Sequence, residues 1–421
     1  NAYAGTTGAE VVPYETNSID ASNSVLSRDW NRYLEDIAQA NVLINGVEQL
    51  KENGQISEAE YHSYKAQGEI FRALMMFRMA RLWGSFPVIT TIAKTITSEN
   101  INEVYPTYYP PRKTPKECYE QIIADLTDAE QYAPDNDNSD RTKMTKTVAQ
   151  AMLAKVYAEK EVQDYDKVIA YADKVMNTTG VELEDSYETL WGYDETAIDC
   201  MKRNTKEGIL EVHWSGGGNW ETWMYGRQLD NWDYYFTWAK WITPSRDIIN
   251  DFDKEGDEVR KNQAIVYYAC TWSNYYPASN YPFMYKLRSS YNNIYWVRLA
   301  DIILMKAEAE AYKGNLAESA KLVNQIRKRA KLKELTADKT GSKESMIEAV
   351  LHERRLELAF EGERWFDLCR NNKVEKYLNG IDNRDSGRIR QVKQFDSNSY
   401  LLPIPQTALD QNTNLEQNPG Y

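Results

Sequence analysis

The stretch MKAEAEAYKGNLAESAKLVNQIR (305–327) decides the fold. Ala309 stands three residues before Tyr312, Lys313-Gly314-Asn315 interrupts the helical pattern, and a second helical run with small residues on one face follows. Small residue, aromatic, turn, small residue is how tetratricopeptide-type hairpins let two helices approach closely. MLAKVYAEK…DYDKVIAYADKVM (152–176) repeats the arrangement with Ala154 and Tyr157. The two copies are far apart and their spacing is irregular, which describes a degenerate helical-repeat scaffold and not a regular solenoid.

Outward from these pairs, helices dominate. Residues 28–51 place Trp30, Leu34, Ile37, Ala38 and Val42 on one stripe of a long helix. Ser57 and Glu60 form a capping box ahead of a helix that Gly84 and Pro87 stop. Thr114-Pro115-Lys116-Glu117 repeats the start signal, and the helix it opens runs through Tyr132. Further helices are predicted over 145–160, 164–177, 297–313, 316–331 and 343–361, with a short WFDLCR turn after Gly362. The proline- and asparagine-rich end, SYLLPIPQTALDQNTNLEQNPGY, is expected to lie extended on the surface of the core. The fold class is mainly α, an irregular helical-hairpin scaffold with a long, loop-rich, aromatic insert.

That insert, 181–296, has few helical periods. GILEVHW and AIVYYACTW read as strands. Long inserts on a rigid scaffold commonly carry function.

Composition narrows the function. A net charge of −13 argues against a nucleic-acid partner, which needs a basic stripe, and against adsorption to anionic lipid. No run of 18 apolar residues exists to span a bilayer. The opening NAYAGTTGAE leaves a cytosolic protein and one whose signal has been removed both open. The four cysteines, far apart, read as buried thiols with no metal knuckle among them.

Catalytic signatures are missing: no GxSxG, HExxH, P-loop or GxGxxG occurs. His62, His213 and His352 are scattered, so neither a metal site nor a His-based nucleophile is expected, and no cofactor is implied. With 63 Asp and Glu, nothing marks a carboxylate pair for glycoside hydrolysis. DFDKEGDEVRKN (251–262) imitates a calcium loop, but Asn262 replaces the bidentate Glu; it reads as an exposed acidic turn ending a helix begun at Thr243-Pro244.

Aromatic residues concentrate instead. WSGGGNWETWMYGRQLDNWDYYFTWAKW (214–241) holds six of the chain's 12 Trp. A sugar has flat C–H faces and a polar hydroxyl rim. An aromatic ring can cover the face with little rotamer entropy to lose, while Asn, Asp, Arg and Gln bond the rim. ACTWSNYYPASNYPFMY (269–285) has the same character and ENINEVYPTYYPP (99–111) a milder form. The candidate rings are Trp220, Trp223, Trp232, Tyr234, Trp272, Tyr275, Tyr276, Tyr105 and Tyr108, with Asn102, Asn219, Arg227 and Asn274 as hydroxyl partners. For any one ring, filling a gap between insert and scaffold competes with this reading.

VLHERRLELAFEGERWFDLCR (350–370) reads from its residues as a helix with Leu351, Leu358 and Ala359 inward, charges outward, a Gly362 stop and a Trp365-Phe366 anchor. The same string resembles the C-terminal signature of the SusD/RagB family of outer-membrane nutrient-binding lipoproteins. KAQGEIFRALMMFRMARLWGSFPVIT (65–90), KECYEQIIADLTDAEQYAP (116–134), VRLADIILMKAEAEAYKGN (297–315) and LLPIPQTALDQNTNLEQNPGY (401–421) resemble other family motifs in the same order. The resemblance implies one domain over 1–421: scaffold at about 28–180 and 297–370, an aromatic variable region at about 181–296 and a tail at 395–421. It implies a non-enzymatic glycan-binding role on the cell-surface side of the bacterial outer membrane, a lipid anchor at the N-terminus, and delivery of oligosaccharide to a SusC-like TonB-dependent transporter. A protein-interaction scaffold without a glycan site is the alternative, a glycosidase a weaker one. The family motifs are scaffold motifs, so the site residues rest on the ring argument alone.

Overall fold

The computed structural model describes residues 2–4, 9–194, 196–197, 199–215, 242–270, 275–289 and 291–421. It is mostly helical and divides into two compact units. Ile19–Asn136, Met144–Gln163 and Phe395–Tyr421 form a helical unit; Asn1–Ser18, Asp137–Lys143 and Asp164–Gln394 form a mixed unit.

The helical unit contains α1 (Ser24–Glu52), α2 (Glu58–Trp83), α3 (Pro115–Tyr132) and α4 (Lys146–Ala158). Both capping boxes form. Ser57 Oγ accepts the Glu60 N–H at 3.3 Å while the Glu60 carboxylate accepts the Ser57 N–H at 2.8 Å. Thr114 and Glu117 do the same at 3.3 and 2.9 Å. Helix α1 begins at Ser24 and not Arg28, because Asn23 caps it by accepting the Leu26 N–H at 3.1 Å. Helix α2 packs against α1 and α3, and α3 against α4. Across the first two seams the buried Arg72 guanidinium donates two 2.8 Å bonds to Asp125 and one of 2.8 Å to Asn41.

Gly84, at φ 74°, ends α2. A Cβ there would fall 2.7 Å from the Leu401 side chain. The C-terminal tail closes over this end: the Leu402 N–H bonds Leu82 O at 2.8 Å and the Trp83 indole bonds Pro403 O at 3.1 Å. Ile404 is fully buried, so the tail is a packed element and not a surface strap. It also folds a helical turn, Gln406–Gln411.

The mixed unit contains α5 (Tyr165–Met176), α6 (Arg246–Glu255), α7 (Glu258–Ala264), α8 (Leu299–Lys313), α9 (Leu316–Arg329), α10 (Lys343–Glu357) and α11 (Arg364–Arg370). Helix α8 is central, packing against α5, α9 and α10. The 305–327 hairpin forms as its small residues require. Gly314 turns the chain at φ 85°, and Ser319 approaches closely enough to donate to Ala307 O at 2.6 Å. The 152–176 pair behaves differently: α4 belongs to the helical unit and α5 to the mixed unit. There α5 meets α8, with Tyr165 stacked on Tyr312 at 4.7 Å and Asp173 paired with Lys306 at 2.7 Å.

Strands come in antiparallel pairs. β1 (Ala2–Ala4) pairs with β3 (Ile242–Pro244), β2 (Gly208–His213) with β6 (Asn293–Arg298), and β4 (Ile265–Tyr268) with β5 (Tyr281–Met284). Both strand-like runs of the insert therefore contain strands.

The 350–370 run corrects its reading. Its charges face inward: Glu353, Arg354, Glu357, Glu363, Asp367 and Arg370 are all buried. The Glu357 carboxylate accepts from Arg298 at 2.6 Å, from Arg260 at 3.2 Å and from Arg329. Arg354 bridges Asp301 at 2.7 Å and Asp367 at 2.9 Å. Burial alone would raise the Glu357 carboxyl; the guanidiniums of Arg329, Arg298 and Arg260 outweigh it and hold the group well below the usual carboxylate range. Helical periodicity assigns charges to water, and it fails where neighbouring elements deliver a counter-charge to each one. Helix α10 accordingly ends at Glu357, and the following turn is the helix α11.

The calcium-like loop is also differently built. Helix α6 starts after Ser245, whose hydroxyl caps Ile248 at 3.3 Å. Four of the loop's five acids have a cation: Asp251 pairs with Arg355, Asp253 with Lys261, Glu255 with Arg327 and Asp257 with Arg260. Asp257 is fully buried, so the turn is not simply exposed. Among the described residues no His, Cys, Asp or Glu group is arranged to hold a metal ion. Cys118 is buried, which pushes its thiol up to about 11, while Cys200, Cys270 and Cys369 are half-buried.

Candidate functional site

The candidate rings fall into three groups. Trp220, Trp223, Trp232, Tyr234 and Trp272, with Asn219, Arg227 and Asn274, lie outside the described residues. Tyr275 and Tyr276 belong to the mixed unit. Tyr105, Tyr108 and Asn102 belong to the helical unit.

Tyr275 and Tyr276 hold the N-terminal strand. Tyr275 is 8% exposed, its ring 4.5 Å from that of Tyr3, and its hydroxyl donates to Ala4 O in β1. Tyr276 donates to Pro244 O at 2.8 Å, and the Arg246 guanidinium lies 4.3 Å over its ring. Burial pushes both phenols well above the usual range. Tyr275 offers no open face on which a sugar could lie.

Tyr105 and Tyr108 are placed in the opposite way. After Gly84 the chain runs without regular structure to a helical turn, Ile101–Val104, continued by a 3-10 turn, Tyr105–Tyr108. Val104 is the buried peg of this segment. Pro106 fixes the first residues of the 3-10 turn, and Thr107 donates back to Val104 O at 2.7 Å. The C-terminal tail clamps the exit: Asn414 donates to Tyr109 O at 2.7 Å and Asn412 to Pro110 O at 2.9 Å. On this pinned backbone Tyr105 is 51% and Tyr108 45% exposed.

The Tyr108 hydroxyl donates to Lys94 O at 2.8 Å, which fixes the ring and draws the preceding strand of chain alongside. Asn100 tightens the same loop, accepting the Thr97 N–H at 2.7 Å and donating to Thr95 O at 3.0 Å. Tyr109 packs on Tyr105 at 5.1 Å and 56°. Ile92, Ile96 and Ile101 are exposed on these same segments, and Asn102 is exposed beside Ile101. The result is an aromatic and aliphatic ledge with amide and charged groups at its edge, Lys94 and Glu103 among them at 3.8 Å. Tyr109 and the three isoleucines were not singled out from sequence. Isolated apolar residues in a loop carry no periodicity by which to single them out.

The fold is a helical-hairpin scaffold that carries exposed rings on a hydrogen-bonded turn. The comparisons give the family. The model described as "SusD family" matches residues 206–421, just over half of the chain. A second model, described as "Starch-binding associating with outer membrane", matches residues 6–158. The chain belongs to the SusD family. It is 27% identical over 440 residues to a SusD-like protein of Formosa agariphila, covering 95% of this chain and 81% of that one. Among solved structures it resembles a SusD superfamily protein of Bacteroides vulgatus with a TM-score of 0.80 and 21% identity, over 100% of this chain and 91% of that one. A laminarin-binding SusD-like protein aligns with a TM-score of 0.73 and 22% identity, over 100% and 91% of the two chains. These likenesses agree with the helical-repeat architecture.

Proposed function

We propose that this protein captures an oligosaccharide at the bacterial surface, without cleaving it, and passes it to a SusC-like TonB-dependent transporter in the outer membrane. The observation that carries the reading is the exposure of Tyr105 and Tyr108 on a hydrogen-bonded turn, the Tyr108 ring fixed by its own hydroxyl, with Asn102 exposed on the same segment. A ring held in water by its own hydroxyl bond has lost its rotamer freedom before any ligand arrives, so stacking on a pyranose face costs little further entropy. Family membership and the laminarin-binding likeness support a carbohydrate ligand. The outer-membrane wording of the matched family model supports the location. Attachment by a lipid anchor at the N-terminus is the part of this reading that the family resemblance alone implies; no helix among the described residues is long and apolar enough to cross a membrane. The rings of 214–241 and 269–274 remain further candidates for the same ligand.

Affinity electrophoresis in gels containing laminarin or starch tests the reading. Retardation that disappears in Tyr105→Ala with Tyr108→Ala, at unchanged thermal stability, supports it. No retardation in any neutral polysaccharide gel, and no change in Trp fluorescence on a broad glycan panel, sinks it. A protein partner is favoured independently by one feature of the helical unit. Val42, Leu43 and Leu50 are exposed along α1, an apolar stripe of the kind that another protein covers.

A further inference from the structure

The mixed unit contains a groove of about 970 Å³ that the ledge does not use. Its wall is the loop after α9, its floor the exposed side of α10, and its far rim the end of α6. Three acids of the floor and rim are paired with cations. Glu255 takes a hydrogen bond from His352 at 3.1 Å and an ion pair from Arg327 at 3.0 Å, and together these hold its carboxyl at about 2 against its burial. Glu348 is likewise neutralised, by Lys373 at 2.8 Å and Lys376 at 2.6 Å. Asp251 is paired with Arg355.

The wall differs. Lys254, Lys331 and Lys333 line the groove and make no ion pair among the described residues. The loop that carries two of them is fixed. Arg327 Nε donates to Lys333 O at 2.8 Å, Leu332 N–H to Arg327 O at 2.9 Å, and Leu335 N–H to the Asn324 side chain at 2.9 Å. Lys331 has φ 59°, a left-handed position just past a helix end where glycine is the usual choice. In a chain of net charge −13, the groove is a local positive site: among the described residues Lys254, Lys331, Lys333 and Lys339 line it without an ion pair, against Glu334 and Asp338 as the lining acids without one. Tyr377 lines the same groove, so one aromatic ring lies among the lysines.

We propose that this groove binds the acidic groups, carboxylate or sulfate, of a saccharide chain. The proposal rests on the glycan-binding reading above and adds a charge requirement at a second location. A saccharide is favoured over an acidic peptide because the lining offers few apolar side chains, Leu332, Leu335 and Ala349 among them, for peptide anchors. One ring with several cations suits a sugar that bears anions.

The test compares dextran sulfate and polygalacturonate with uncharged dextran, by titration calorimetry on the full chain. Wild type is compared with Lys331→Gly combined with Lys333→Gln, and with Lys116→Gln as an exposed control. Glycine suits the left-handed position, so a melting temperature equal to or above wild type certifies the fold. The expected result is binding of both acidic polymers that weakens with salt and falls at least tenfold in the double variant, with Lys116→Gln and dextran showing no difference. Three results overturn the proposal: neither acidic polymer binds, both bind the double variant as tightly as wild type, or poly-glutamate binds as tightly as the polysaccharides with the same loss. Retention on neutral glycans that depends on Tyr105 and Tyr108 reports on the ledge separately. It can therefore persist while the groove proposal fails, or fail while the groove binds.

Discussion

Residues 343–370 and residues 92–109 break the usual partition of side chains in opposite directions. In the first, carboxylates and guanidiniums that water would hold are sealed inside, Glu357 against Arg298 and Arg354 against Asp301. In the second, tyrosines and isoleucines that a core would hold stand in water on a pinned backbone. A buried charge survives only when its partners are delivered by other elements, so it specifies the fold. An exposed rigid ring contributes almost nothing to the fold, so it is available for a ligand. The contrast is broken most severely at Glu357. Glu357→Ala leaves Arg298, Arg329 and Arg260 facing one another without their shared anion, which is expected to cost about 3–5 kcal/mol. Urea denaturation should show this as a large fall in midpoint; a shift under about 1 kcal/mol would make the network ornamental.

Glu69 sharpens the rule, because it is a buried carboxylate with incomplete pairing. Lys65 reaches Glu69 at 2.6 Å but is shared with Asp128 at 2.5 Å, and Glu69 Oε2 has no hydrogen-bond partner. Burial raises the Glu69 carboxyl to about 8 despite the ammonium, while Lys65 outweighs a lesser burial at Asp128 and keeps that group below its usual range. A folded-state value above the unfolded value of 4.5 means that the folded chain keeps a proton that the unfolded chain has released. Stability contributed here is therefore full below about pH 4.5 and declines as pH rises towards 8. Urea midpoints measured across that range should slope downward, and Glu69→Gln should flatten the slope. An unchanged slope in the variant assigns it to other groups.

At the ledge the effects move from stability to binding. Tyr105→Ala and Tyr108→Ala should each weaken a bound glycan by about 1 kcal/mol, roughly fivefold, and change stability by less than about 0.5 kcal/mol. Loss of stability matching the loss of binding would move these rings into the same category as Tyr275.

The helices were legible because their caps are written in the chain. Ser57 with Glu60 and Thr114 with Glu117 start α2 and α3, and Gly314 turns α8 into α9. The inward charges of α10 were illegible from periodicity, since Arg260, Arg298 and Arg329, which hold Glu357, come from three separate elements. The pairing of α5 with α8 is equally a long-range choice. Among the candidate rings, ENINEVYPTYYPP did announce an exposed aromatic turn. It could not announce that the Tyr108 hydroxyl reaches Lys94 or that Asn412 and Asn414 clamp the exit. Sequence character alone treated Tyr275 and Tyr105 as equals, because burial of a ring depends on what packs over it. For Tyr275 that is Tyr3, far away in the chain.

The smallest effect is expected at Lys331, and its sign is informative. Helix α9 ends with the Lys331 N–H on Lys328 O at 3.0 Å and the Leu332 N–H on Arg327 O at 2.9 Å, a terminus that calls for a left-handed residue between them. A lysine there bears the steric penalty of its Cβ, and glycine would remove it. Glycine also adds conformational freedom to the unfolded chain, which offsets part of the gain. Lys331→Gly should therefore raise stability by no more than about 0.5–1 kcal/mol, read as a small rise in urea midpoint. A gain of that size, together with lost affinity for an acidic polysaccharide, would mean the lysine is kept against the preference of the helix end for the sake of its charge. A loss of stability would instead mean that the Lys331 side chain packs usefully on the groove wall, and the local cost of the left-handed position would no longer argue for a ligand.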